Sequence, residues 1–274
     1  MTGTHTATDG GITTVGIAGT GRLGTVLAAR LKDRFSLFLY DTDRAAARRA
    51  ATATGLPLAD AETLVTADAV LLCVPPERTE PALHALARHA VRTGRRPLFV
   101  SLATSVPTAR LRSLLADDAD LAGLAVAGLK PVCQFAALAH GVPTVLVTED
   151  TGRLDELRHL AQGLGTVLAG EENLVGPVNR AATKAALRAC AALTEELTDQ
   201  GVPLPLVAAA VRNVLAGTAL DHPPAPDNPY TRSVLTELAA ERPAALPPPA
   251  RPTDQQTAPT ATPVPVAEAK GARV

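Results

Sequence analysis

The chain has 274 residues, 26 Lys and Arg against 27 Asp and Glu, a net charge of −1, four Phe, two Tyr and no Trp. Near-neutrality argues against a nucleic-acid surface or a polyanion partner, and so few aromatics offer no stacking platform for single strands. No apolar run reaches the roughly 18 residues that span a membrane, and the polar segment Met1 to Gly10 lacks the charged-then-apolar order of a signal peptide. Cys73, Cys133 and Cys190 are odd in number and widely spaced. They predict neither a metal site nor a disulfide framework, so the expected location is cytoplasmic.

Residues 1–11 are expected to be disordered. A short apolar run, Thr13-Thr-Val-Gly-Ile-Ala18, then ends in Gly19-Thr20-Gly21-Arg22-Leu23-Gly24 and continues as a helical pattern to about Asp33. Strand, tight turn and helix in that order form the dinucleotide-binding fingerprint. Gly19 permits the turn, Gly21 lets a pyrophosphate approach the backbone, and Gly24 lets helix and strand pack closely. The phosphates would sit at a helix N-terminus, where N–H groups lack partners. Ser36 to Asp41 reads as a second strand closing on an acid about twenty residues past the glycines.

A helix over Ala45 to Ala53 follows, capped by Thr42 or Asp43 and ended by Gly55. Asp68 to Val74 is a third strand, stopped by Pro75-Pro76, with Cys73 as a small core residue. Glu77 to Val91 is helical, Pro97 to Ser101 is a fourth strand, and Pro107 opens a helix ending near Leu115. Leu121 to Leu129 and Pro143 to Val147 read as strands, Arg153 to Leu164 as a helix, and Thr166 to Leu168 as a last strand. Alternating strands and helices predict an α/β Rossmann-type domain over 12–170 with a mainly parallel sheet.

The period then changes. Leu174 to Gln200, Leu204 to Leu215 and Tyr230 to Ala240 are helical, giving a small all-helical domain over 171–242. Two or three helices bury little apolar surface alone, so packing against a second copy, a homodimer, is expected. The Pro-rich stretch 243–274 is expected to be a disordered tail without catalytic role.

Several segments together resemble the pyrroline-5-carboxylate reductases and their imine-reductase relatives over about residues 12–220. These are Gly16 to Gly24, Ala67 to Pro75, Val100 to Val106, Leu160 to Val167, and Ala191 to Ala219. The resemblance implies an NAD(P)H-dependent oxidoreductase that reduces the C=N bond of a small cyclic imine. It also implies a dimerising helical domain. The family's Ser/Gly-rich substrate turn falls on Thr183-Lys184-Ala185-Ala186, and its Met-Pro-Asn-Thr-Pro segment is replaced by Leu129-Lys-Pro-Val-Cys-Gln134.

The cofactor contacts expected from motif and resemblance are Gly19, Thr20, Gly21, Arg22, Leu23, Asp41, Arg44, Val74, Pro75 and Ser101. Asp41 would accept from a ribose 2′-hydroxyl and favour NAD, whereas Arg44 would pair with a 2′-phosphate. Lys184 is the first proton-donor candidate, since a lysine among apolar walls has a lowered pKa. Its place also resembles that of the catalytic lysine in the β-hydroxyacid dehydrogenases. Thr183 would bond the substrate or, as helical Thr often does, its own backbone. Thr104 and Ser105, and also Lys130, are further contact candidates, with His140 and Tyr230 as acids from the closing region. His84, His89 and His159 read as solvated, and Glu171-Glu172 as helix N-terminal acids. Other readings of the same residues are a β-hydroxyacid-type dehydrogenase using Lys184, a non-catalytic nucleotide-binding regulator, and a nicotinamide–deazaflavin hydride exchanger.

Overall fold

The computed structural model describes residues 11–222 and 229–241. Of the segments 1–11 and 243–274, expected to be disordered, all but Gly11 lie outside the described residues. The chain divides into two compact units, Met1–Ala192 and Leu193–Val274.

The first unit is built on a five-stranded parallel sheet of β1 (Thr14–Ala18), β2 (Ser36–Tyr40), β3 (Ala69–Leu72), β4 (Leu98–Ser101) and β5 (Ala125–Gly128), in the order β2-β1-β3-β4-β5. Side chains alternate across it, as the pleat requires. Val15 and Ile17 of β1, Leu71 of β3 and Val100 of β4 enter one core. Ala18, Val70, Leu72 and Phe99 enter the other. α1 (Arg22–Leu31) covers the first face with Leu27, Ala28 and Leu31, joined by Leu157 and Leu160 of α7 (Leu154–Ala161). The second face is covered by the short α3 (Ala61–Leu64), by α4 (Pro76–Arg92) with Leu83, Leu86 and Ala90, and by α5 (Thr108–Ala116) with Leu111 and Leu115. α2 (Arg44–Thr54) starts on an Asp43 cap, whose carboxylate accepts from the N–H of Ala45 and Ala46, and stops at Gly55 in the left-handed region.

At the N-terminal edge, Asp68 locks β1 to the approach of β3. Its Oδ2 accepts from the N–H and hydroxyl of both Thr13 and Thr14, at 2.8 to 3.0 Å. Partial burial pushes the Asp68 carboxyl up, but the four donors outweigh it and hold its pKa below the usual value.

Beside the expected parallel sheet stands a second, smaller one. It holds β6 (Lys130–Val132), β7 (Thr144–Thr148) and β8 (Gly165–Ala169), with β6 antiparallel to β7 and β7 parallel to β8. The expected strand Leu121 to Leu129 is shorter, because Leu121 and Leu124 lie in the turn ahead of β5. Their apolar character reflects burial in the second core rather than extended pairing. The five-residue helix α6 (Phe135–Ala139), capped by Gln134, was not predicted. His159 is half-buried rather than solvated. Its ring meets Phe35 edge-on with centroids 5.3 Å apart, and its Nε2 lies 2.9 Å from the carbonyl of Ile12.

α8 (Val175–Asp199) runs out of the first unit. In the second unit, the expected single helix Leu204 to Leu215 is α9 (Leu204–Ala209), a π-helical stretch Ala210–Leu215, and α10 (Ala216–Leu220). α11 (Pro229–Glu241) follows. No described helix is long and apolar enough to cross a membrane.

Candidate functional site

The strand order reverses between β1 and β3, and in open α/β sheets ligands bind in the crevice at such a point. Here a cavity of about 920 Å³ opens beyond the C-terminal ends of these strands. Gly19, Gly21, Arg22 and Leu23 form its glycine wall, and Tyr40, Asp41, Thr42 and Asp43 extend it beyond β2. Val74, Pro75, Pro76 and Arg78 supply the side between β3 and α4. Leu102, Ala103 and Thr104 come from beyond β4, Pro131, Cys133 and Phe135 from around β6 and α6, and Asn179 from α8.

The glycine turn meets its three sequence expectations in different ways. Gly19 has φ +97°, a conformation that L side chains rarely adopt, and a Cβ there would lie 2.8 Å from the Cys73 carbonyl carbon. A Cβ on Gly24 would lie 1.9 Å from the Gly19 oxygen, so helix and turn touch backbone to backbone. A Cβ on Gly21 would meet nothing within 4 Å. That open space faces the cavity. Gly21 caps α1 without a side-chain hydrogen bond, and the first turn holds no acid. The first N–H groups of α1 thus lack an internal partner, on residues that line the cavity, where the helix macrodipole favours an anion. This donor set fits a dinucleotide pyrophosphate.

Asp41 faces inward rather than only outward. Its Oδ2 accepts from the N–H of Thr20 at 2.7 Å and from the Thr20 hydroxyl at 3.0 Å, while Oδ1 accepts from the N–H of Asp43 at 2.9 Å. Thr20 is buried behind the turn, 4% exposed. Arg22 lays its guanidinium over the Phe135 ring, 5.2 Å from the centroid.

Besides Thr20, two more expected cofactor contacts lie outside the cavity lining. Arg44, first residue of α2, is exposed and outside the cavity lining. Ser101 is fully buried behind the cavity, where its hydroxyl and carbonyl accept from the Lys130 ammonium at 3.1 and 3.3 Å. Lys130, expected as a ligand contact, is buried too. Its Nζ also donates to the Val106 carbonyl at 3.1 Å and stands 3.8 Å from Glu172 Oε2. Burial pushes the Lys130 pKa down to about 8, against the upward pull of Glu172 and Glu149. Glu172, in the first turn of the 3-10 helix Glu172–Leu174 as expected of a helix N-terminal acid, is also a buried ion-pair partner. Cys73 and Cys133 line the cavity as thiols whose pKa burial pushes up, for Cys73 to about 12.

Neither proton-donor candidate lines the cavity. Thr183 donates its hydroxyl to the Asn179 carbonyl at 2.7 Å, bonding its own helix, and Lys184 is exposed. Asn179 does line it, and its amide donates to the Pro131 carbonyl at 2.9 Å. Thr183 lies one turn on from Asn179, whereas Lys184 lies about 140° around the helix from it. Tyr230 is 75% exposed in the second unit, and His140 is exposed and outside this lining. The sequence reading missed Arg78, Cys133 and Asn179. Arg78 alone had a signal, since it follows the strand-ending Val74-Pro75-Pro76.

A five-stranded parallel sheet with a glycine turn at its switch point, followed by helices, is the Rossmann-type architecture with a C-terminal helical region. Among solved structures, a pyrroline-5-carboxylate reductase from Coxiella burnetii matches with TM-score 0.61 at 13% identity, over 85% of this chain and 87% of that one. The pyrroline carboxylate reductase of Plasmodium falciparum, solved with NADP bound, matches with TM-score 0.59 at 13% identity, over 85% and 86%. An imine reductase from Streptomyces aurantiacus matches with TM-score 0.53 at 16% identity, over 84% and 79%. At these identities the likeness is one of fold: the chain has the fold of these reductases. No family model and no curated protein matches the chain.

Proposed function

We propose that the protein is an NAD(P)H-dependent oxidoreductase that reduces the C=N bond of a small cyclic imine. The observation that carries the reading is the uncapped N-terminus of α1, with open space at Gly21, at one wall of the 920 Å³ cavity. The cavity continues to Thr104, Cys133 and Asn179, which leaves room for a small substrate beyond the dinucleotide. The reductases of like fold, one of them solved with NADP, support the cofactor class.

Reducing C=N requires a hydride at carbon and a proton at nitrogen. Bound reduced nicotinamide supplies the hydride. In this reading Gly19, Gly21, Arg22 and Leu23 hold the pyrophosphate, Asp41 and Thr20 brace the turn, and Val74 and Pro75 flank the dinucleotide. Arg44 and Ser101 hold no part of the cavity surface. Lys184 and Thr183 stay as the proton-delivery candidates to be tested by substitution.

A homodimer belongs to the same reading. The second unit exposes Leu204, Leu206, Val214 and Leu220, and α8 exposes Leu187, apolar surface that a second copy would cover. Light scattering tests it, a stable monomer of about 28 kDa being the contrary result. A cytoplasmic location completes it.

The deciding experiment is calorimetric titration with NADH and NADPH, followed by turnover of cyclic imines read from loss of reduced-nicotinamide absorbance. Binding of one or both dinucleotides with imine turnover supports the proposal. Absence of binding overturns it. Binding without turnover on any imine or hydroxyacid would favour a nucleotide-binding regulator, a reading supported by the exposed Lys184 and by the Thr183 hydroxyl, which donates to the Asn179 carbonyl.

A further inference from the structure

Lys130 and Glu172, 1% and 4% exposed, are the buried charged side chains among the described residues. Neither touches the cavity, yet their contacts reach the segments that line its far end. The ammonium has three N–H donors, and three acceptors surround it: the Ser101 carbonyl, the Ser101 hydroxyl and the Val106 carbonyl, at 3.1 to 3.3 Å. These acceptors bracket the segment 102–105, whose Leu102, Ala103 and Thr104 line the cavity.

Glu172 carries the hold further. Its Oε2 accepts from the Thr108 hydroxyl at 2.5 Å, its Oε1 from the N–H of Glu149 at 3.2 Å, and its own N–H donates to Glu149 Oε1 at 3.1 Å. Glu172 lies in the 3-10 turn just ahead of α8. From α8, Gly176 comes so near the Thr104 carbonyl that a Cβ would stand 3.3 Å from it, and Asn179 holds the Pro131 carbonyl. Gly128 leaves the room, since a Cβ there would lie 2.0 Å from Glu172 Oε1 and 2.2 Å from the Thr108 hydroxyl.

We propose that Lys130 is a positioning residue for the far end of the cavity. Its ammonium, held by Glu172, fixes the Leu102–Thr104 wall and, through Glu172, the first turn of α8 against it. The inference rests on the dinucleotide-binding reading above, with the nicotinamide half at this end and the adenine half at the Asp41 end. The charged groups facing Lys130 are Glu172 and Glu149. Thr108 of α5 and Ser101 of β4 bring hydroxyls only. A neutral amine loses its attraction to Glu172 and its charge-assisted bonds to the two carbonyls, and the Ser101 hydroxyl has to turn from acceptor to donor, so deprotonation loosens the wall.

The test compares ADP-ribose, which lacks nicotinamide, with NADH on the full chain. The variant is the double change Lys130→Met with Glu172→Gln, which leaves no uncompensated buried charge. The variant is expected to bind ADP-ribose as the wild type does and to lose about tenfold or more of the extra affinity for NADH, as a displaced contact surface should. In the wild type that extra affinity falls as pH rises through about 8, with ADP-ribose binding flat, and the variant lacks this pH dependence.

An unchanged NADH advantage in the variant overturns the proposal. So does parallel loss of both ligands, the mark of a general structural role, or a wild type that binds NADH no better than ADP-ribose. A wild type that binds neither ligand overturns the dinucleotide reading itself, and this inference with it. Should the variant not fold, the pH dependence of the wild type decides alone.

Discussion

Asp41 and Thr20 are joined twice, backbone N–H and hydroxyl to the same carboxylate oxygen at 2.7 and 3.0 Å. The acid at the end of β2 thus braces the glycine turn from behind. Asp41→Ala is therefore expected to weaken NADH and NADPH alike, by about tenfold or more, because a charge-assisted pair of hydrogen bonds is lost from the turn. Parallel calorimetric titrations check this. A gain in NADPH affinity would instead mark Asp41 as a reader of the ribose alone.

The glycines of the turn separate stability from binding. Gly24→Ala puts a Cβ 1.9 Å from the Gly19 oxygen, backbone that yields little, so a loss of about 1–3 kcal/mol is expected in urea denaturation. Gly21→Ala meets open space, and its φ of −66° suits alanine. That variant should melt as the wild type does and lose about tenfold or more of its dinucleotide affinity, the methyl taking the place of the pyrophosphate.

Lys184→Ala should change neither dinucleotide affinity nor, beyond about 0.5 kcal/mol, stability, since the side chain is exposed and outside the cavity lining. Asn179→Ala, which releases the Pro131 carbonyl, should cost about 1 kcal/mol. Steady-state kinetics on an imine complete the comparison. A fall in kcat of about a hundredfold in Lys184→Ala, at unchanged affinity, would identify Lys184 as the proton donor.

Two groups shape the pH dependence of stability in opposite ranges. The Asp68 carboxyl is held below its usual pKa of 3.8, so its contribution is present above that value and disappears as pH falls through the lowered one. Asp68→Asn should lower the melting temperature at pH 7, and the gap should close in acid. Lys130 has a folded pKa of about 8 against a usual 10.5. Below pH 8 the folded state bears the full penalty of the buried charge. Between 8 and 10.5 the unfolded chain binds more protons, so this group's contribution to stability rises with pH. Relative to the double variant Lys130→Met with Glu172→Gln, which leaves no uncompensated buried charge, the wild type should gain stability over that window in urea titrations at stepped pH.

Much of the sheet was legible because its signals are local. The strand β1, its glycine turn and α1 lie within eighteen consecutive residues, and β2, β3 and β4 are apolar runs stopped by turn residues. The antiparallel β6 was not legible. Three residues containing a proline carry no strand pattern, and their pairing partner, β7, lies more than ten residues away. Thr183 and Asn179 show the same limit on a helix. Periodicity puts them on one face, but nothing in it says that the Asn179 side chain reaches the cavity while the Thr183 hydroxyl bonds the Asn179 carbonyl.

The sequence by itself determined the dinucleotide-type turn, the parallel order of strands and helices, and the change to an all-helical period near residue 174. Each of these depends on backbone conformation and side-chain periodicity, which neighbouring residues fix. The tertiary structure alone decided which way the polar side chains face. Asp41 turned to Thr20, Ser101 turned away from the cavity, and Lys130 was buried on Glu172, forty-two residues downstream. A buried charge has to find its counter-charge, and where that partner lies is a property of the packed chain, not of the segment that carries the charge.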